Sequence, residues 1–211
     1  MYLGVHINNN HFIHLMDALK LVKKMGGNLL QVYMGDKRLT TLRYKFIFST
    51  NEIKEIKEYL KKNDIKLVIH GILTLNFCND PFNPRYKWGI DNLVYDMNLC
   101  NKIGGIGCVI HMGRFKTPKI NMSKNDCISN FINSIKMVLD NTENVPIILE
   151  TPVKQDFMLG GTLEGFSELY HSIPNNYKSR IRICVDTCHI FSSGYNIHLK
   201  NDAEDYFNNF N

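Results

Sequence analysis

The chain has 211 residues, a length that fits one domain with a sizeable hydrophobic core. Hydrophobic residues make up 44% of the chain and charged residues 21%, a balance that excludes a mainly disordered protein. The net charge of +5 permits a nucleic-acid partner without requiring one.

The sequence shows no targeting or membrane segment. No apolar run reaches the ~18 residues that a membrane helix needs, and the N-terminal residues lack the basic and apolar segments of a signal peptide. We therefore expect a soluble intracellular protein without a membrane partner, and the sequence does not distinguish cytoplasm, nucleus or viral particle. The 6 cysteines are scattered, so we expect free thiols.

Short apolar runs alternate with amphipathic stretches along the whole chain. The runs predict strands at residues 2–7, 29–33, 66–70, 107–111, 146–150 and 182–186. The amphipathic stretches predict helices at residues 14–25, 51–60, 88–103, 128–139, 163–170 and 202–210. Such alternation indicates a parallel sheet with crossover helices, in either a doubly wound or a barrel arrangement. The glycine-rich fingerprint of dinucleotide folds is missing after the first strand, where Asn8, Asn9 and Asn10 stand.

Four of the predicted strands end at a side chain that can bind a metal ion. These side chains are His70, His111, Glu150 and Asp186, and His189 follows shortly after the last of them. A single histidine or carboxylate at such a position is more often structural. The joint pattern predicts a metal site, because the carboxyl ends of parallel strands lie on one face of a barrel.

The predicted ligands are nitrogen and oxygen atoms, which suit zinc and, less selectively, manganese or iron. Glu150 is the natural bridge between two ions, since each of its oxygens can bind one of them. Two ions ~3.5–4 Å apart can activate water and stabilise a phosphodiester under attack. We interpret Cys188, beside His189, as a packing residue.

The segments that contain these residues resemble the signatures of the endonuclease IV family. Its members are zinc-dependent apurinic/apyrimidinic endonucleases. The segments are residues 68–71, 109–113, 148–151 and 184–189, and the Asp-Thr-Cys-His sequence at 186–189 is the most specific. Asn76 also fits the pattern. The resemblance implies an α/β fold, a TIM (β/α)8-type barrel of the xylose-isomerase-like kind, with three zinc ions at its mouth.

The resemblance also implies an activity and a role for each ligand. His70 and His111 would bind one ion together with Glu150, Asp186 would share Glu150 with the second, and His189 would bind the third. A zinc-bound hydroxide would hydrolyse the phosphodiester 5′ to an abasic site in double-stranded DNA, with Glu150 as a catalytic residue. The products would be a 3′-hydroxyl and a 5′-deoxyribose phosphate.

The chain departs from the family pattern at three loops and in its number of strands. Asn8, Asn9 and Asn10 stand where a serine and two glycines are usual after the first strand. Leu73 stands where a tyrosine is usual, and residues 151–155 differ from the usual loop after the bridging glutamate. About six of the eight βα units are present, so we expect one incomplete barrel domain over residues 1–211, acting as a monomer. At most one well-formed zinc site, at His70, His111 and Glu150, and little or no nuclease activity are then expected.

Basic residues in the loops after the strands are candidates for contacts with DNA phosphates. They are Lys37, Arg38, Arg43 and Lys45 after the second strand, Arg85 and Lys87 after the third, and Arg114, Lys116, Lys119 and Lys124 after the fourth. Tyr33, Leu73 and Phe115 are candidates for a wedge that holds a flipped-out site.

Two other functions stay open. A xylose-isomerase-like sugar isomerase or epimerase also uses carboxylates at strand ends around a divalent ion, but the basic loops and the Asp-Thr-Cys-His sequence argue against it. A truncated barrel that binds DNA without cutting it is the second alternative.

Overall fold

The computed structural model describes residues 1–7, 14–34, 47–117 and 120–210. Its strands are β1 (Gly4–Ile7), β2 (Leu29–Val32), β3 (Lys66–His70), β4 (Gly107–Ile110), β5 (Lys116–Thr117), β6 (Ile120–Asn121), β7 (Ile147–Glu150) and β8 (Ile181–Cys184). Its helices are α1 (Leu15–Lys24), α2 (Thr50–Asn63), α3 (Pro84–Ile103), α4 (Lys124–Asp140), α5 (Leu163–Ser172), α6 (Asn175–Lys178), α7 (Thr187–Ser192) and α8 (Lys200–Phe210).

The main sheet has six parallel strands in the order β1-β2-β3-β4-β7-β8, while β5 and β6 form a separate antiparallel pair. Each strand of the main sheet therefore pairs with the strand that precedes it in that sheet. A doubly wound sheet reverses its order at a switch point, whereas a barrel does not. The barrel class that the sequence predicts is confirmed, and within the described residues β1 and β8 are the edges of its sheet.

The predicted elements are all present, but two helices begin earlier than their apolar spacing indicates. Helix α3 begins at Pro84 because the Asn83 side chain accepts a hydrogen bond from the backbone amide of Arg85. Helix α4 begins at Lys124, where Ser123 caps the amide of Asp126. The first turns of these helices carry few apolar residues, so hydrophobic periodicity locates only their later turns.

The main core lies between the sheet and the surrounding helices. Alternate strand residues such as Leu67, Ile69 and Leu149 are buried against helical residues such as Leu93 and Ile135. Burial of each such side chain stabilises the fold by roughly 1.5–3 kcal/mol. Because side chains alternate along a strand, this pattern turns the last residues of β3 and β7 to the opposite side of the sheet.

Two expectations about the cysteines, that all are free thiols and that Cys188 is a packing residue, are wrong. Cys78 and Cys127 form a disulfide, because the chain after β3 passes along the start of α4 and brings their Cα atoms to 4.5 Å. They are 49 residues apart, and nothing local marks them as a pair. Cys188 is exposed, so its interpretation as a packing residue is wrong.

None of the described helices combines the length and the apolar character that a membrane span requires.

Candidate functional site

The five predicted metal ligands all lie at one end of the barrel, where the parallel strands finish. His70 is the last residue of β3 and Glu150 the last of β7, while His111 directly follows β4. Asp186 caps α7 after β8, and His189 lies within that short helix. Four strands thus bring together side chains that are as much as 119 positions apart in the sequence, from 70 to 189.

His70, His111 and Glu150 form the first donor group, with ligand atoms within 4.8 Å of one another. The Glu150 Oε2 atom lies 3.1 Å from His70 Nε2 and 3.4 Å from His111 Nε2. His70 Nδ1 lies 2.7 Å from the carbonyl oxygen of Gly71, which can only accept a hydrogen bond. His70 therefore carries its proton on Nδ1 when neutral, and its Nε2 lone pair faces the carboxylate. Two facing acceptors of this kind need a proton or a metal ion between them, and the three donors of this group fit a metal ion.

Glu150, Asp186 and His189 form the second donor group, again with ligand atoms within 4.8 Å. His189 Nδ1 is 3.6 Å from Glu150 Oε1 and 3.6 Å from Asp186 Oδ2. Thr151 orients this group. Its carbonyl accepts a hydrogen bond from His189 Nδ1 at 2.9 Å, which leaves the Nε2 lone pair of His189 for a metal ion, and its hydroxyl accepts a 2.9 Å hydrogen bond from the Asp186 amide. Glu150 belongs to both groups, as expected of a bridging ligand. The structure brings His189 to Asp186 and Glu150, whereas the family resemblance assigned it to a third ion.

The site holds Glu150 ionised and His111 neutral. Burial alone would raise the pKa of Glu150, but the polar neighbours His70, His111 and Asp186 outweigh burial and lower that pKa. Burial lowers the pKa of His111, and the nearby His70 and His189 add to this effect against the attraction of Glu150. An ionised carboxylate and a neutral imidazole are the forms that bind a metal ion.

Tyr33 is buried beside His70 of the first donor group. Its ring centroid lies 4.9 Å from that of His70 and 4.7 Å from that of His6. Burial, with a contribution from the charge of Glu150, raises the pKa of Tyr33 to about 12. A wedge must reach out to DNA, so the prediction of a wedge at Tyr33 is wrong.

A cavity of about 650 Å³ opens beside the donor groups. Its lining includes His111 and His189 together with Leu73, Asn76, Arg114 and Met158. Leu73 is 46% exposed, so it stands free on the cavity wall, unlike Tyr33. The structure therefore places two of the predicted DNA contacts, Leu73 and Arg114, next to the candidate metal ligands.

The loops after β3 and β4 are joined by the side chain of Asn76. Its Nδ2 donates to the carbonyl of Arg114 at 3.0 Å, and its Oδ1 accepts from the amides of Arg114 and Cys78 at 3.1 Å each. Gly113 packs so closely that a Cβ there would collide with the Asn76 side chain. Asn76 thus sets the position of the backbone that carries Arg114.

The loops after β4 and β7 meet at a pair of phenylalanine rings. Phe115 is half-buried, and its ring lies edge-on to Phe157 with 5.6 Å between centroids. The Lys116 Nζ atom lies 4.9 Å from the centroid of the Phe157 ring. Phe157 was absent from the sequence-based candidates, because a single aromatic residue in a loop carries no periodic or motif signal.

The structure places the remaining basic residues that were predicted to contact DNA in different surroundings. Lys37 and Arg38 lie outside the described residues, as do Arg43, Lys45 and Lys119. Lys87 instead pairs with Asp91 one turn along α3, at 2.6 Å, and Lys124 pairs with Glu168 of α5 at 2.7 Å. Arg85 lines the same cavity as Arg114.

Comparisons with known proteins agree with this fold. A family model described as "Xylose isomerase-like TIM barrel" matches residues 19–210. The putative endonuclease 4 of Acanthamoeba polyphaga mimivirus is 30% identical over 213 residues, which cover 99% of this chain and 66% of that protein. The chain thus spans about two thirds of the length of this relative.

Two solved structures show how widely the fold is shared. Endonuclease IV from Thermus thermophilus superposes with a TM-score of 0.78 at 15% identity, over 100% of this chain and 71% of that chain. A D-tagatose 3-epimerase-like protein superposes with a TM-score of 0.67 at 14% identity, over 96% and 72% of the two chains. At these identities the likeness concerns the fold alone, and the side chains of the site carry the functional argument.

Proposed function

Because the chain belongs to the endonuclease IV family of xylose isomerase-like TIM barrels, we propose that it is a metal-dependent DNA-repair endonuclease. Its substrate is double-stranded DNA with an abasic site, and it hydrolyses the phosphodiester on the 5′ side of that site. The products are a 3′-hydroxyl and a 5′-deoxyribose phosphate. The observation that carries the proposal is the pair of donor groups that share Glu150 at the mouth of the barrel.

Each of the two donor groups would bind one metal ion. His70, His111 and Glu150 would hold one ion, and Glu150, Asp186 and His189 would hold a second, one more than the sequence pattern led us to expect. Imidazole and carboxylate donors without sulfur favour zinc, with manganese or iron as substitutes. When bound, such ions supply a nucleophilic water and neutralise charge on the phosphate that is attacked.

The protein's own side chains position the DNA and keep the ligands in their binding forms. Arg114 and Lys116 are exposed at the metal-bearing end and can neutralise phosphates without recognising sequence. Leu73 lies on the cavity wall, where it can contact the sugar or the base opposite the abasic site. Thr151 holds Asp186 and His189 in orientation through its hydroxyl and carbonyl. The chain is expected to work as a monomer.

The test is incision of a duplex that contains one abasic site, with zinc-loaded protein. Any incision by this mechanism should give a nick on the 5′ side whose 3′ end a DNA polymerase can extend. His111→Ala should lose the incision, because it removes a ligand of the first group, while His171→Ala should keep it, because His171 is exposed on α5. From the six βα units of the chain we expect little or no nuclease activity, and the rate of incision in this assay tests that expectation.

The outcomes separate the three functions. Binding of the duplex without any metal-dependent incision would favour a DNA-binding barrel. Conversion of a ketose into its epimer, lost in His111→Ala, would favour a sugar epimerase. Either result, without incision, contradicts the proposed function.

A further inference from the structure

Phe157 presents an aromatic ring to solvent at the same end of the barrel as the metal ligands. It lies in the loop that follows Glu150, and 41% of the residue is exposed. Its neighbours in the sequence, Gln155 and Met158, line the cavity that reaches His111. The ring therefore lies close to the cavity without being part of the donor groups.

The backbone at Phe157 adopts a conformation that bulky residues avoid. Its φ is 66°, in the left-handed region, where the Cβ atom approaches the following carbonyl oxygen. The surrounding loops hold it there, because the carbonyl of Phe157 accepts a 3.0 Å hydrogen bond from the amide of Phe115. Arg114 and Met158 form an antiparallel bridge beside it, and the Leu159 amide donates to the Gly113 carbonyl at 3.0 Å. The position of the ring is thus determined by two loops, and such strain concentrates at functional positions.

The surroundings of the ring combine apolar support with positive charge. Phe115 supports it from the side, with the two planes at 87°. Lys116 lies 4.9 Å from its centroid. A nucleotide offers the complement of this pair, since the base has an apolar face and the phosphate a negative charge.

We propose that Phe157 stacks on a nucleobase of the DNA substrate next to the cleaved phosphodiester, with Lys116 on an adjacent phosphate. The inference rests on the proposed function, because it takes DNA as the substrate. It adds a contact that fixes the register of the strand relative to Glu150, through a residue that takes no part in metal binding.

The experiment measures the affinity of the zinc-loaded chain for a fluorescent duplex with an abasic analogue. The linkage 5′ to the analogue is a methylphosphonate, so that no cleavage interferes. Phe157→Ala should raise Kd by about tenfold, the usual effect of removing one base-stacking ring. Phe157→Trp should restore the affinity. Phe207→Ala is the matched control, because Phe207 is also 41% exposed but lies on α8, and it should leave Kd unchanged.

Salt dependence distinguishes stacking from a change in charge. Phe157→Ala should keep the slope of log Kd against log salt concentration, whereas Lys116→Ala should reduce that slope by about one phosphate contact. Phe157→Gly tests whether a loss of affinity comes from the missing ring or from a disturbed backbone, because glycine adopts a φ of 66° without strain. It should unfold at no lower a temperature than the wild type and still lose affinity.

If Phe157→Ala and Phe157→Gly both bind the duplex as tightly as the wild type, the inference is wrong. It is also wrong if the wild-type chain itself does not bind the duplex. If the chain incises abasic DNA while these variants bind normally, only the stacking contact is refuted. If the variants lose affinity but the wild type never incises, the contact stands and the nuclease proposal fails.

Discussion

At the scale of single residues, Glu150 connects the two halves of the candidate site. Its Oε2 atom faces His70 and His111, while its Oε1 atom faces His189. The carboxylate is buried and its pKa is lowered, so it stays ionised under ordinary conditions. A change at this one position should therefore affect both donor groups.

We predict that Glu150→Gln lowers the zinc content of the purified protein at both groups. Glutamine keeps the shape of the side chain but removes the charge that two neighbouring ions share. Elemental analysis after dialysis measures this, with Glu164→Gln, at an exposed position of α5, as the control. Zinc content equal to that of the wild type would show that Glu150 does not bridge.

Asn76 is a second residue whose replacement has a predictable effect on the free energy of unfolding. Asn76→Ala removes the acceptor of the Arg114 and Cys78 amides and the donor to the Arg114 carbonyl. Leaving such groups without partners costs about 1–3 kcal/mol in the free energy of unfolding. Denaturant unfolding measures this loss, and Asn208→Ala on the exposed side of α8 should show almost none. Equal stability of the two variants would contradict the role of Asn76 as a connection between loops.

At the scale of elements, α3 buries a carboxyl group that the site does not use. Asp96 is 4% exposed, and burial raises its pKa to about 8. The folded state therefore holds this acid protonated at neutral pH, whereas the unfolded chain ionises it at about pH 3.9. Its favourable contribution is complete below that lower pKa and is lost as the pH rises through about 8.

We predict that Asp96→Asn stabilises the protein increasingly as the pH rises from 5 to 8. Asparagine is neutral at every pH, so the gain relative to the wild type grows by up to about 1.4 kcal/mol per pH unit and then levels off. Thermal unfolding at several pH values tests this. Asp91→Asn, at a more exposed position of the same helix, should show no such trend. A gain that does not change with pH would mean that Asp96 ionises in the folded state.

Arg180 connects the end of α4 to the start of β8. Its guanidinium donates to the carbonyls of Leu139, Thr142 and Val145 at distances between 2.7 and 2.9 Å. We predict that Arg180→Ala lowers the free energy of unfolding by about 3 kcal/mol, because several carbonyls lose a charged donor at once. Arg182→Ala is the control, since Arg182 is exposed on β8, two residues further along the chain. Chemical unfolding curves that coincide for the two variants would contradict this role.

At the scale of the whole molecule, the candidate metal ligands come from β3, β7, α7, the residue that caps α7 and the residue after β4. A bound ion therefore connects distant parts of the barrel. We predict that zinc at about 100 times its Kd stabilises the fold by about 2.7 kcal/mol, a rise in Tm of roughly 5–10 °C. Differential scanning fluorimetry with and without a chelator measures this shift. Glu150→Gln should abolish most of it, and an equal shift in that variant would place the zinc elsewhere.

The positions of the strands and the identity of the candidate ligands could be predicted from the sequence. A strand is marked locally by its apolar run, and His70, His111, Glu150 and Asp186 each follow such a run directly or nearly so. The carboxyl ends of parallel strands share one face, so convergence of the ligands follows from fold class alone. The family resemblance, now supported by the family match, added the chemistry expected there.

The tertiary structure alone decided which loops meet at the mouth of the barrel. Asn76 and Arg114 are 38 residues apart, and Cys78 and Cys127 are 49 residues apart, so no local pattern pairs them. Tyr33, which the sequence offered as a wedge, is buried, while Phe157, which the sequence did not single out, is exposed, because burial depends on what packs over a side chain and not on its type. The sequence by itself determined which side chains are candidates for metal binding, since those residues stand at the ends of strands. Packing between loops decided which aromatic ring faces solvent beside them.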